Sequence, residues 1–319
     1  GKVRAAHQMA RTGEVMAEEN VRFNRSEILL QVDRAYWQML RVQEQVGAAK
    51  AYREVVKALL QDLRNSQEVG MVSNNDVLKV EVKYNEAQLM LQKATNGLIL
   101  SQMDLCRLIG LDLNTRLHLS DTLPEATSTG LPDAGGNVEQ RPDYKLLKEE
   151  IGLKQKEINL ARSEFLPQIG VSVGYGYGGG LELNGETDAS ASLNAMASVR
   201  IPLFYWGEGR NKIKVAEVER EMSQLNLEKS AQLMELEVAS TRFNIQDART
   251  RIEMCRNALK QAEENLRISK AQYDVGMESL SNLLEAQAQW QEAWSQWVDA
   301  KAMLQLSVSE YLKAVGGLE

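Results

Sequence analysis

The residues able to make bonds or hold metals are few in this 319-residue chain, and they stand apart. Cys106 and Cys255 lie in helical stretches with neither a CxxC partner nor a neighbouring histidine. They indicate neither a disulfide framework nor a zinc site, and both read as packed thiols. His118 stands alone in a loop-rich stretch and reads as a solvated surface residue. No nucleophile sits beside a base, and no Gly-rich phosphate loop or metal-ligand spacing occurs. The expectation is therefore no catalytic residue, no metal site, no cofactor and no enzyme. The twelve methionines lack clustered spacing and read as core packing. What does recur is conformational: Val69-Gly70-Met71 and Val275-Gly276-Met277 each set a turn signal between long polar helical stretches.

Composition narrows the class. Five prolines, four phenylalanines and flanking halves rich in Ala, Leu, Glu, Gln, Lys and Arg describe long helices rather than a mixed α/β domain. A net charge of −7 argues against a nucleic-acid footprint, which needs a basic surface. No apolar run reaches the ~18 residues of a transmembrane helix. The opening GKVRAAHQMA has no apolar h-region and so no signal peptide.

Laid on itself at an offset of 206, the interval from Gly70 to Gly276, the chain matches without a gap. Gly1 meets Gly207, Arg4 meets Arg210, Val32 meets Val238, Glu86-Ala87 meets Glu292-Ala293, and Gly110 meets Gly316. Scattered Leu and Ala matches between helices carry little weight. A shared Gly-Met turn and a shared Gly stop at one offset mark two tandem copies of one supersecondary unit. The second copy has the segment 141–206 before it and the first has none, so the chain reads as N-terminally truncated.

Each copy predicts a long helix, a turn and a shorter helix. Residues 2 to about 69 contain no Pro and almost no Gly, which gives a rod of roughly 100 Å at 1.5 Å per residue. Asp76 is the expected cap of the next helix, which Gly110 stops. The domains read as 1–112, a first helical repeat with its tip turn at 70–75; 113–140, a connector with Pro124, Pro132 and Gly135-Gly136; 141–164, a helix with Pro142 in its first turn; 165–206, a β-hairpin; and 207–319, a second repeat with its tip at 276–279. In the last helix Trp290, Trp294, Trp297, Lys301, Leu304, Val308, Tyr311 and Val315 form a heptad stripe broken only by Lys301. Tyr84, Gln88, Leu91, Thr95, Leu98, Gln102, Leu105 and Ile109 form its weaker counterpart.

At 165 the period changes to two. Ile169, Val171, Val173, Tyr175 and Tyr177 alternate with Gln168, Gly170, Ser172, Gly174 and Gly176. Ala191, Leu193, Ala195, Ala197, Val199 and Ile201 oppose small polar residues, with Met196 off the pattern. Each run is about ten residues, the length of a tilted membrane-spanning strand, and the two tyrosines resemble part of an aromatic girdle. A soluble hairpin with one buried face is the alternative. Either way a lone hairpin is only marginally stable and needs partner strands. The fold class is mainly α: long antiparallel coiled-coil helices in two tandem repeats, with a short β-hairpin. Rods that each pair with two stacked shorter helices would bring both Gly-Met turns to one end and the strands to the other.

This plan resembles the TolC-like outer-membrane efflux proteins. The residues that carry it are GMVSNNDVLKVE at 70–81, GMESLSNLLEAQ at 276–287, RPDY at 141–144, FLPQIGVSVGYGY at 165–177 and IPLFYWGEGR at 201–210. The resemblance implies a homotrimer with a shared 12-stranded outer-membrane barrel, a periplasmic helical tunnel and residues 113–140 as an equatorial belt. It also implies a periplasmic adaptor (membrane fusion) protein, an inner-membrane pump reached through it, and outer-membrane lipid as partners, with no nucleic acid. The implied role is a passive exit duct. Uninterrupted heptads would fit a structural coiled-coil scaffold instead, and a basic face a membrane-bending module; residues 165–203 argue against the first and the net charge against the second.

Carried over residue by residue, the tip and adaptor contacts are Gly70, Met71, Val72, Ser73, Asp76, Val77 and Leu78, with Gly276, Met277, Ser279, Leu283 and Leu284. Gly permits the tight turn, and an apolar side chain at an exposed tip offers a docking contact. The acidic gate of the family falls on Asn282 and Glu285. Only Glu285 keeps a carboxylate, so a threefold ring here carries less charge. Asp76 and Lys79 stand where the second copy has Asn282 and Glu285, so the copies share a shape and divide docking from gating. Two strands close at most half a barrel, and lipid tolerates no open edge. The chain as given is therefore expected to stay out of bilayers, and a conducting trimer formed by it in lipid would overturn that expectation.

Overall fold

The computed structural model describes residues 1–124, 138–181, 187–202 and 206–318, the side chains of 179–190 aside. Its elements in order are α1 (Lys2–Glu68), α2 (Asn74–Ile109), a 3-10 turn (Val138–Gln140), α3 (Pro142–Glu164), β1 (Gln168–Leu181), β2 (Thr187–Arg200), α4 (Glu208–Asp274) and α5 (Leu280–Ala314). The fold is mainly α with one two-stranded sheet. Both long helices run 67 residues, and their followers run 36 and 35. The matched stops hold as well, since Gly110 and Gly316 share one backbone conformation at φ 78° and 74°. Among the described residues no helix is long and apolar enough to cross a membrane.

The chain divides into two compact units, Gly1–Val21 with Pro142–Ala231, and Arg22–Arg141 with Gln232–Glu319. In the first, α3 begins at Pro142, whose ring presets helical φ where no N–H is needed. Its polar side chains then tie it to α4: Arg162 to Glu217 at 2.9 Å, Lys154 to Glu219 at 3.1 Å, and Arg220 to Gln155 at 2.8 Å. Ile158 is its buried anchor, and the Lys156 ammonium donates to the Thr12 hydroxyl on α1.

The strands are antiparallel, in a register that puts like with like. Ile169 faces Val199, Val171 faces Ala197, Val173 faces Ala195 and Tyr175 faces Leu193, while Gly170, Gly174 and Gly176 face Ser198, Asn194 and Ser192. Met196, off the pattern in sequence, sits opposite Ser172 on the small-residue face. Each strand has 14 residues, longer than the expected ten, because backbone pairing continues past the tyrosines, where side-chain alternation stops. Neither face is covered: Ile169 is 78% exposed, Leu193 73% and Met196 64%.

The second unit holds the helical core. Val56, Leu60 and Leu63 of α1 meet Val77, Val80 and Ala87 of α2 and Leu280 of α5. Further along, Ile245, Ala248 and Ile252 of α4 pack on Ala300, Leu304 and Tyr311 of α5. Both cysteines are buried and free, Cys255 in this second cluster. Helix α5 is covered more widely than its single stripe predicts. Ala286, Ala293 and Ser307 are buried beside the stripe, and Ala302 and Ser309 are buried on another side of the helix, where Ala302 shares a cluster with Leu40 of α1 and Ser309 bonds Asp33. A polar ladder joins α1 to α5: Asp33 accepts from Ser309 at 2.8 Å, Arg34 meets Glu310 at 2.7 Å and Arg41 meets Asp299 at 3.1 Å.

Lys301, the break in the stripe, is a buried cation. Its Nζ lies 2.7 Å from Glu44 Oε2 and 4.0 Å from the centre of the Trp297 ring, with 5% of its side chain exposed. The other Glu44 oxygen accepts from the backbone N–H of Leu123 at 3.1 Å. The connector is thus more than a surface loop. Leu117, Leu119 and Leu123 pack into the core, Gln102 donates to the Leu117 carbonyl at 3.2 Å, and the Tyr36 hydroxyl donates to Asp121. Burial and the Asp121 bond push the Tyr36 phenol up to about 12. His118 points to solvent, as expected, while Pro132 and Gly135-Gly136 lie outside the described residues. The far end of α5 is closed by Arg141 of the RPDY motif, whose buried guanidinium donates to the Ala314 carbonyl at 3.0 Å and pairs with Glu237 at 2.7 Å. Lys301→Ala leaves Glu44 charged, uncompensated and still partly wetted. It is expected to cost about 3 kcal/mol in denaturant unfolding, and Lys301→Met with Glu44→Gln, which keeps an acceptor for the Leu123 N–H, to recover part of that.

Candidate functional site

The site expected from sequence is the pair of turns, and they are built alike. Gly70 and Gly276 adopt φ 78° and 73°, the left-handed region closed to most side chains. The N–H of Gly70 reaches the Gln67 carbonyl at 2.9 Å and that of Met71 reaches Ser66 at 2.9 Å; the bonds Gly276 to Tyr273 and Met277 to Gln272, at 2.9 and 2.8 Å, repeat them. The next helix then starts at a serine. Ser73 accepts from the Asp76 N–H and Ser279 from the Asn282 N–H, both at 3.2 Å. Asp76 is therefore not the cap, as its residue type suggests. It sits three residues inside and accepts the Ser73 hydroxyl at 2.8 Å and the Lys79 ammonium at 3.2 Å.

The tip side chains separate by burial. Val69 and Met71 are 67% and 81% exposed, and Val275 and Met277 are 67% and 82%. Gly70, Ser73, Leu78, Gly276 and Ser279 are exposed as well, whereas Val72, Asp76 and Leu284 are half-buried. Val77 and Leu283 are buried core residues beneath their own turns. Val72 and Leu284 pack on the cluster that also takes Tyr273, so one core supports both turns. Asn282 and Glu285 are exposed one helical turn in, with Gln289 donating to Glu285 at 3.2 Å.

Charge is unevenly divided between the copies. The Ser73 hydroxyl, then the Lys79 ammonium, hold the Asp76 carboxyl below its ordinary value. Burial first, and then the charges of Asp76 and Asp274, push the Tyr273 phenol above its ordinary value. An open groove of about 460 Å³ runs between α2 and α5, lined by Lys79, Val82, Lys83, Leu284 and Glu285. Sequence reasoning left out Tyr273 and Lys83. The offset brings Lys79 into register with Glu285, but Tyr273 aligns with Gln67 and leaves no signal.

A duplicated long-helix–turn–helix, a two-strand segment between the copies and two matched tips make up the fold of a known family. The family described as outer membrane efflux protein matches residues 1–111 and 138–317. The chain belongs to the outer membrane efflux protein family. It is 24% identical over 321 residues to the toluene efflux pump outer membrane protein TtgF of Pseudomonas putida, covering 99% of this chain and 66% of that protein. It is 23% identical to outer membrane protein TolC of Vibrio cholerae, covering 91% of this chain and 68% of that one. The solved outer membrane channel CmeC of Campylobacter jejuni superposes with a TM-score of 0.80 at 19% identity, over 100% of this chain and 69% of that one; this likeness speaks to the fold. The chain thus spans about two thirds of the length of these curated relatives. The family is one of efflux channels, not of enzymes.

For this efflux-family chain, Ser73→Ala and Ser279→Ala are each expected to cost about 1 kcal/mol in urea unfolding, the usual loss of a helix cap. A depressed carboxyl stabilises above its ordinary range and loses that contribution as pH falls through its folded value. The stability difference between the parent and Asp76→Asn should therefore be full at neutral pH, begin to shrink as pH falls to about 4, and vanish only below the depressed folded value.

Proposed function

We propose that this chain is part of a subunit of an outer-membrane exit duct in a tripartite efflux or type I secretion system. The duct passively exports small molecules or polypeptides, and the energy comes from an inner-membrane pump reached through a periplasmic adaptor. The observation that carries this reading is the doubled tip: two turns with one hydrogen-bond pattern, one core beneath them, and equal apolar side chains held in solvent. A turn that only reverses the chain has no use for an exposed methionine, and two of them form a patch suited to adaptor docking.

A homotrimer is supported by what the helices and strands leave uncovered. Helix α4 exposes Val215, Val218, Met222 and Leu225 in the first unit, then Leu236, Phe243 and Met254 in the second. With the uncovered hairpin, these residues call for partner copies and further strands, and three copies of the full-length protein would supply a closed barrel in the outer membrane above a periplasmic tunnel. Threefold assembly turns Glu285 into a negative ring that selects for cations, with Asn282 beside it and Lys79 in the same groove moderating its field.

The test uses the full-length protein. A Cβ added at Gly70 or Gly276 meets no atom within 4 Å, so Gly70→Val and Gly276→Val are expected to act through the left-handed backbone, at about 1–2 kcal/mol or more per site, and to distort the tip. Met71→Asp with Met277→Asp leaves the fold alone. Both pairs are expected to weaken adaptor pulldown and export at least tenfold, and unchanged export with unchanged pulldown would remove the docking assignment. In planar bilayers Asn282→Asp should raise cation selectivity and Glu285→Gln should lower it.

A further inference from the structure

Trp206 is the conformational outlier of the first unit. Its backbone lies at φ 46°, the only non-glycine at positive φ among the described residues, and its indole is 90% exposed. A bulky side chain in the left-handed region costs free energy, and a large ring in water recovers little of it by burial. Such a residue persists where its surroundings over-determine it. Here Gly209, at the start of α4, packs so closely on Phe165 that a Cβ would lie 2.9 Å from the ring. Lys212 sits over the same ring at 6.0 Å and pairs with Glu208 at 3.0 Å. The helix start is fixed three residues beyond an exposed indole.

We propose that Trp206 is an interfacial membrane anchor, seated in the lipid headgroup layer where the chain passes from β2 to α4. The inference rests on the outer-membrane reading above and names its lipid contact. The hairpin supplies the measure. Its Gln168–Arg200 rung is polar, and the next rung, Ile169–Val199, starts an apolar face that runs to Tyr175 and Tyr177. Tyr177 lies nine residues beyond Gln168 in this register, about 30 Å along a strand at ~3.3 Å per residue. Tilted by about 40°, that is about 23 Å along the bilayer normal, close to the ~25 Å apolar band of outer-membrane barrels. Tyrosines mark one edge of the band. The other edge has the polar rung, and Trp206, six residues past Arg200, supplies the amphipathic ring that interfaces favour. The exposed apolar face and the spacing favour lipid over a protein partner as the occupant.

Full-length protein is placed in phosphatidylethanolamine–phosphatidylglycerol vesicles whose acyl chains carry bromine either near the glycerol or near the chain end. The tryptophan emission that Trp206→Phe removes should be quenched by shallow bromine and little by deep bromine. Trp206→Gly, which relieves the backbone conformation, should remove the same component with an equal or higher Tm. If inserted, export-competent protein shows no quenching of that component, or quenching chiefly by deep bromine, the anchor is overturned and the exit-duct reading stands. If the protein does not enter the vesicles at all, both are overturned.

Discussion

The reversal of the backbone at Gly70 and Gly276, each at positive φ and closed by two hydrogen bonds onto the preceding turn, decides which faces of the second unit's helices meet. A looser loop would leave the phase of α2 against α1, and of α5 against α4, open by a residue. One residue is about 100° of helix, enough to move Val80 and Leu283 out of the core. The serine cap that follows each glycine then fixes the first turn of the next helix by satisfying a backbone donor. Because both copies use the same bonds, they converge on one cluster. One exposed methionine follows each glycine.

Polar groups in the second unit have a positional role that apolar packing cannot supply. Apolar contacts are non-directional and fix the register of α1 on α5 only loosely, whereas the ladder of Asp33–Ser309, Arg34–Glu310 and Arg41–Asp299 fixes it. Lys301 and Glu44 extend the same function to the connector, since one carboxylate holds a cation on α5 and an amide at Leu123. Arg141 does so at the far end of α5. By contrast, apolar side chains on α4 and on both strands remain in solvent, a surface that isolated monomers seldom keep.

Much of this was legible in the chain itself. Helix extents, the duplication, both left-handed glycines, Pro142 and strand alternation are local signals, set by φ preference, missing donors and the 3.6 and 2.0 side-chain periods, so residue type alone determines them. Tertiary structure alone decided that Ser73 rather than Asp76 caps α2, because both can accept a hydrogen bond and only the path of the chain chooses between them. It also decided that Val77 and Leu283 lie under the tip, that Lys301 is a paired cation rather than a flaw in a heptad, and that the connector leucines are core. Burial and ion pairing depend on neighbours distant in sequence, and Trp206 shows the same limit. Its residue type fits any surface or core, and only the folded chain shows it at positive φ with its ring exposed.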